Sequence, residues 1–366
     1  MPVSDTVRTR IRTFRDPNTR SGKRTSRALR GLAIAAAVCA AVAGCANTPD
    51  DSASIIRTTT NIAGAGVVGL ERDTSRACAL PSTPDPVSGS TRSVTHASGV
   101  SRVPADPQRI VVLGTSALDA VCAVGLWERV VGATTVGGTR PQPPYLGTGV
   151  LEIPAVGPAG QPDLAAIRNL DPDLILGGIP TATAGYQALQ DIAPTVLVGD
   201  PADWRDEFTA YAAGLNRSDA AEAALQAYRT EATDTGRSLA AHLTQASLVR
   251  FTADGSHVLG NETFAAQVLA DVGAYRPTAQ REGSFELDES DLERAEGDLI
   301  YVMFAGANGR EHGESVMRSD EWKELGAVTD NRVFAVDDAL WHTTGLTAAR
   351  AVLDDIRNTL NGYVNN

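Results

Sequence analysis

The apolar positions of this chain fall into short runs that alternate between two periods. Ile110–Leu113, within "PQRIVVLG" (107–114), is a β-branched run closed by a glycine, the pattern of a strand buried on both faces. "SALDAVCAVGL" (116–126) then carries apolar residues at helical spacing and stops at Gly125. "RVVGATT" (129–135) reads as a second strand and "DLAAIRNL" (163–170) as a helix. "DPDLILGG" (171–178) gives a turn, a strand and a glycine pair; "GYQALQDIA" is a helix and "PTVLVG" a strand. Short strand–helix units of this kind favour a parallel sheet with helices on both faces.

The alternation pauses at "SDAAEAALQAYRTEATDTGRSLAAHL" (218–243), a single long helical pattern. Ser218 is placed to cap it, and Ala221, Leu225, Tyr228 and Ala232 line one face. Gly236 weakens the second half, by up to about 1 kcal/mol against Ala. Alternation then resumes. "ASLVRFTA" (246–253), "DLIYVMFA" (298–305) and "NRVFAVDD" (331–338) read as strands. "TFAAQVLADVG", "DESDLERAEG", "RSDEWKELGAV" and the closing "TGLTAARAVLDDIRNTL" (344–360) read as helices. The expectation is an α/β protein of two Rossmann-like lobes, 107–217 and 244–366, joined by the helix 218–243; each lobe is large enough for its own core. Residues 45–106, rich in Ser, Thr, Pro, Gly and Asp, read as a tether and N-terminal arm. Within them "NIAGAGVVGL" (61–70) is apolar enough to pack on something.

Ahead of the arm, Gly31–Gly44 is an apolar run too short to span a bilayer comfortably. Nine basic residues precede it, and small residues close it, as in an export signal. Its ending, Val42-Ala43-Gly44-Cys45, resembles the lipobox of bacterial lipoproteins. That resemblance implies a signal peptide over 1–44, cleavage before Cys45, a diacylglycerol on its thiol and a lipid anchor on the outer side of the plasma membrane. The alternatives are an ordinary signal peptide with an incidental cysteine, or a signal anchor. Cys39 leaves with the signal, so Cys78 and Cys122 remain in an oxidising compartment, where two such cysteines usually pair. The other reading is two thiols, with Cys122 buried in a helix.

Charge narrows the partners. The chain has 32 basic and 44 acidic residues; the leader removes 9 and 2, leaving 23 against 42, a net of −19. So acidic a surface repels nucleic acid and gives no electrostatic reason to coat anionic lipid.

Enzyme chemistry finds no support. There is no G-x-S-x-G elbow, P-loop or H-E-x-x-H, and the five histidines (His96, His242, His257, His312 and His342) stand in no metal-ligand spacing. What the two lobes offer is strand ends, beyond which ligands sit in open α/β sheets. In the first lobe these are Thr115 and Ser116, Thr134 and Thr135, and Gly177 and Gly178. In the second they are Asn261, Phe304 and Trp341, Trp341 being expected to face the ligand. Tyr145, in the Pro-rich "RPQPPYLG", is a candidate for the cleft mouth, and Arg140, Arg281 and Arg310 are candidates to meet an anionic oxygen.

"PQRIVVLG", "GLWERVVGATT", "DLAAIRNLDPDLILGG", "ALQDIAPTVLVG", the long helix and "DNRVFAVDDALWHTTG" together resemble the class III periplasmic-binding proteins for ferric siderophores, haem and cobalamin, from about Pro107 onward. With "TTTNIAGAGVVGLERDTSRACA", "SALDAVCAVGL" and "PPYLGT" the resemblance extends to the mycobacterial FecB-type lipoproteins of that family. It implies binding of a carboxymycobactin-like ferric siderophore, with no cofactor of the protein's own, by a monomer that serves an ABC permease. Haem held by Tyr145, His312 or His342 is the alternative ligand, and an envelope scaffold without a solute the alternative role. Members that feed a permease carry a docking Glu on each lobe. The family spacing lands on Ala165 and Ser290 here, so docking would fall to Asp163 and to Glu289 or Asp291.

Overall fold

The computed structural model describes residues 60–137, 140–179 and 185–360. The leader, Cys45 and the start of the arm lie outside the described residues.

The arm from residue 60 onward is not a loose tether. Two very short strands, β1 (Asn61–Ile62) and β2 (Ala65–Val67), form a hairpin, and β3 (Thr91–His96) with β4 (Gly99–Pro104) forms another. Between them Cys78 is bonded to Cys122.

The N-terminal lobe runs β5 (Ile110–Leu113), α1 (Thr115–Ala123), β6 (Val130–Thr135), β7 (Ala155–Pro158), α2 (Leu164–Asn169), β8 (Leu174–Gly178), α3 (Gly185–Gln190), β9 (Thr195–Val198) and α4 (Trp204–Leu215). Its sheet is parallel throughout, in the order β7-β6-β5-β8-β9. Every residue of β5 and β9 is buried, which is why these strands are continuous apolar runs rather than alternating ones.

Helix α5 (Ser218–Ser238) leads to the second lobe and buries Ala221, Leu225, Tyr228 and Ala232 along one face. Ser218 does not cap it. The carboxylate of Asp85, from the arm, accepts from the backbone N–H groups of Ser218 and Asp219 at 2.7 and 3.2 Å. Gly236 has a packing reason: a Cβ there would lie 1.8 Å from the Val272 carbonyl oxygen.

The C-terminal lobe contains β10 (Ala246–Phe251), β11 (Ser256–Val258), α6 (Phe264–Val272), β12 (Phe285–Leu287), β13 (Leu299–Phe304), α7 (Gly306–Val316), α8 (Asp320–Lys323), α9 (Gly326–Thr329), β14 (Val333–Val336), α10 (Asp338–Trp341) and α11 (Leu346–Leu360). Its sheet order is β1-β2-β14-β13-β10-β11-β12, parallel from β2 to β10 and antiparallel at both ends. The arm thus supplies an edge to the second lobe while its disulfide holds the first. The helix expected over "DESDLERAEG" is only a 3-10 turn, Leu292–Ala295. Asp288 explains this: it accepts from the backbone and hydroxyl of Ser290, a local turn that competes with helix. Among the described residues no helix is long and apolar enough to cross a membrane.

The two sheets share a core. Alternate residues of the central strands (Ile110 and Val112; Leu248; Tyr301) face one continuous cluster, filled by α1, α4, α5, α6 and α11. The opposite residues face separate outer clusters, one under each sheet. This alternation is the two-sided burial expected of layered α/β folds.

Candidate functional site

The carboxyl ends of β5, β6 and β8 converge on a pocket of about 230 Å3. Ser116 at the start of α1, Thr134 near the end of β6 and Gly178 at the end of β8 line it, with Leu113 and Ile179 as apolar wall. Thr134 is 4% exposed, and its hydroxyl has no hydrogen-bond partner within the protein. A buried hydroxyl left unpaired costs free energy unless something entering the site completes it. Thr115 and Thr135 lie beside this rim, half-buried, and Gly177 is buried behind it against Leu113.

Helix α4 supplies two lining residues that the strand-end argument missed, Glu207 and Tyr211. Four residues apart, they share a helix face. The Glu207 carboxylate accepts from the Thr344 hydroxyl at 2.6 Å, and Thr344 in turn meets the Ser116 hydroxyl at 2.7 Å. Thr344 belongs to the second lobe, so the pocket floor is also a junction between lobes. Burial pushes the Glu207 pKa up, and the hydroxyls of Thr344, Ser116 and Tyr211 partly offset that.

A second junction lies deeper. Asp119 of α1, fully buried, accepts from the backbone N–H groups of Thr347 and Ala348 and so caps α11 of the other lobe. Gly345 permits this approach: its φ is 138°, and a Cβ would fall 2.3 Å from the Asp119 carboxyl carbon. Tyr145 closes the same region. It is 2% exposed, directed at Asp119 rather than at a cleft mouth, and burial pushes its phenol pKa well up.

Trp341 is likewise not a ligand platform. It is 1% exposed on α10, and its indole N–H donates to Asp355 at 2.9 Å. Arg72 of the arm forms an ion pair with the other oxygen of Asp355. The indole turns inward because a buried carboxylate needs that donor. Phe304 also departs from expectation: its ring stacks on Phe251 in the outer cluster of the second sheet, centroids 5.7 Å apart. Arg310 is exposed on α7 and paired with Glu314, which also holds Arg318. Asn261 is exposed and donates to the Arg281 carbonyl. Its neighbour Glu262 reaches the lobe boundary, where Gln267 donates to both the Glu262 and Ala202 carbonyls.

Further along the second lobe's rim, Arg250 forms a bidentate pair with Asp338 at 2.6 and 3.0 Å. Burial and Arg250 together push the His342 pKa down. Arg140 lines a separate pocket with Arg72, Tyr145 and Asp337. Of the positions at the family's docking spacing, Ala165 and Ser290 are both exposed. Asp163 is occupied as the cap of α2, accepting from Ala165 and Ala166.

Among the described residues no cluster of His, Cys, Asp and Glu is arranged to hold a metal ion. The His96–Ser101 contact is polarised the wrong way for nucleophile activation. His96 Nδ1 accepts from the Ser98 and Leu197 backbone, so Nε2 carries the proton and donates to the serine at 3.0 Å.

Two facing sheets, a pocket at strand ends and a junction of hydroxyls between lobes are the anatomy of a solute-binding protein. The chain belongs to the periplasmic binding protein family, whose description it matches over residues 110–340. It is 32% identical over 286 residues to the probable siderophore-binding lipoprotein YfiY of Bacillus subtilis, covering 74% of this chain and 87% of that one. It is 28% identical over 260 residues to the Fe(3+) dicitrate-binding periplasmic protein FecB of Escherichia coli, covering 68% and 83%. Among solved structures, that of Staphylococcus aureus SirA complexed with staphyloferrin B superposes with a TM-score of 0.65 at 25% identity, over 74% of this chain and 99% of that one.

Proposed function

We propose that this protein is an extracytoplasmic, lipid-anchored receptor that binds a ferric siderophore between its lobes for delivery to an ABC permease. The observation that carries the reading is the pocket at the ends of β5, β6 and β8, lined by Ser116, Thr134 and Gly178 and bordered by the inter-lobe hydroxyl chain. Iron wrapped in its chelator asks the protein for shape and hydrogen bonds, not metal ligands, so catalysis has no part in the reading. A carboxymycobactin-like chelate is the first ligand to test. The relatives' printed ligands, staphyloferrin B and ferric dicitrate, support the broader class. On the second lobe, delivery would use Glu289 or Asp291; on the first, Asp163 is engaged as the cap of its own helix.

The haem reading loses two of its three candidate ligands to other contacts. Tyr145 is buried beside Asp119, and His312 Nε2 meets the Ser256 hydroxyl at 3.0 Å. The scaffold reading loses its free arm, which is built into both lobes.

Titration of the mature protein with ferric carboxymycobactin, followed by intrinsic fluorescence, tests the proposal. Saturable quenching at micromolar or lower concentration, weakened in Thr134→Val, is the expected result. Absence of saturable quenching by ferric carboxymycobactin, ferric dicitrate and ferric staphyloferrin B alike overturns it.

A further inference from the structure

The floor of the strand-end pocket carries one charge. Among the described residues Glu207 is the only carboxylate lining it, and no Arg, Lys or His joins it; the other lining groups are hydroxyls, glycines and apolar side chains. The carboxylate is held in place by Thr344 at 2.6 Å, with Ser116 and Tyr211 alongside, so it cannot swing away from an incoming group. No cation of the described residues stands among its partners: the groups acting on the Glu207 carboxylate are the hydroxyls of Thr344, Ser116 and Tyr211 and the like charge of Asp200. A fixed negative charge in a partly desolvated pocket repels anionic ligand groups and leaves neutral donors unpenalised.

We propose that Glu207 is a specificity-determining residue: it excludes free carboxylates from this pocket and selects chelates that present an uncharged iron core with hydroxyl or N–H donors. This rests on the reading of the pocket as the siderophore site and goes further, since it separates this chain's ligand class from polycarboxylate chelates.

The test compares the methyl ester of ferric carboxymycobactin, in which the chelate's own side-chain carboxylate is masked, with polyanionic ferric dicitrate, on the mature wild-type protein and on Glu207→Gln. The amide keeps an acceptor for Thr344 while removing the charge. The wild type should prefer the esterified chelate by at least about tenfold. Glu207→Gln should bind ferric dicitrate on the order of tenfold more tightly, as expected for removing one screened charge at close range, with the other affinity little changed. Asp119→Asn, at the junction that does not line this pocket, controls for a purely structural effect: it should lower stability without changing the ratio of the two affinities. An unchanged ratio in Glu207→Gln, or the same change in Asp119→Asn, overturns the role of Glu207 while leaving the site reading intact. Wild-type protein that binds none of these chelates, ferric carboxymycobactin and ferric staphyloferrin B included, overturns both.

Discussion

Asp119 and Thr347 join the two lobes: a carboxylate on the first helix of one lobe accepts, at 2.9 Å, from a backbone N–H in the first turn of the last helix of the other. The second carboxylate oxygen takes the Ala348 N–H at the same distance. The bond spans 228 residues of sequence and lies wholly in the interior. Asp119→Ala leaves two buried N–H groups without acceptors. It should lower stability by about 2–3 kcal/mol, read as a shifted urea midpoint.

The same residue gives a pH signature. Burial pushes the Asp119 carboxyl up to about 7 from an ordinary 3.8, so between those values the folded protein holds more of its proton than the unfolded chain does. Its contribution to stability therefore falls as pH rises through that window and is flat above it. The stability difference between wild type and Asp119→Asn should be larger at pH 5 than at pH 8. A difference that is constant, or that grows with pH, contradicts the assignment.

Arg72→Ala strips Asp355 of its ion-pair partner while the carboxylate stays 1% exposed. The expected cost is about 3–5 kcal/mol, the usual penalty for an uncompensated buried charge. Adding Asp355→Asn should recover part of it, as a double-mutant cycle in denaturant would record.

Trp341→Phe removes the indole donor to Asp355 and keeps most of the buried volume. Stability should fall by about 1–3 kcal/mol, with chelate affinity unchanged. A loss of affinity without a loss of stability would return Trp341 to the ligand site.

The Cys78–Cys122 bond closes a loop of 44 residues and pins the arm to α1. Replacing both cysteines with serine should cost about 4 kcal/mol on the chain-entropy estimate, measured as a lowered melting temperature. Thiol labelling of the mature wild type under denaturing, non-reducing conditions should find neither cysteine free.

Gly178→Leu places a side chain in the pocket, where a Cβ would stand 3.2 Å from the Tyr211 hydroxyl. Chelate affinity should drop by more than about tenfold, with the far-UV spectrum unchanged.

The strand–helix rhythm of both lobes was legible because buried parallel strands must be apolar throughout and their helices amphipathic. Thr134, Ser116 and Gly178 followed from that rhythm, since strand ends are fixed once strands are. β1 and β2 were not legible as strands: only two and three residues long, with Gly66 among them, they become strands only because β14 offers an edge. Glu207 looks like the polar flank of a surface helix and Tyr211 like part of its apolar face, beside Phe208 and Leu215; neither pattern marks them as pocket residues, which only the packed structure makes them. Trp341 and Tyr145 were misjudged for a shared reason. Each sits in a segment that reads as exposed, yet each is buried in the shared cluster, Trp341 with its indole N–H on Asp355 and Tyr145 packed in the region of Asp119, which local pattern does not reveal.

The cluster shared by both sheets ties their closure to one late element. Helix α11 lies in that cluster, is capped by Asp119, and follows every described strand along the chain. Without it the inner layers of both sheets lose part of their apolar cover. Damage to this helix therefore loosens both halves of the molecule at once, rather than the half that carries it.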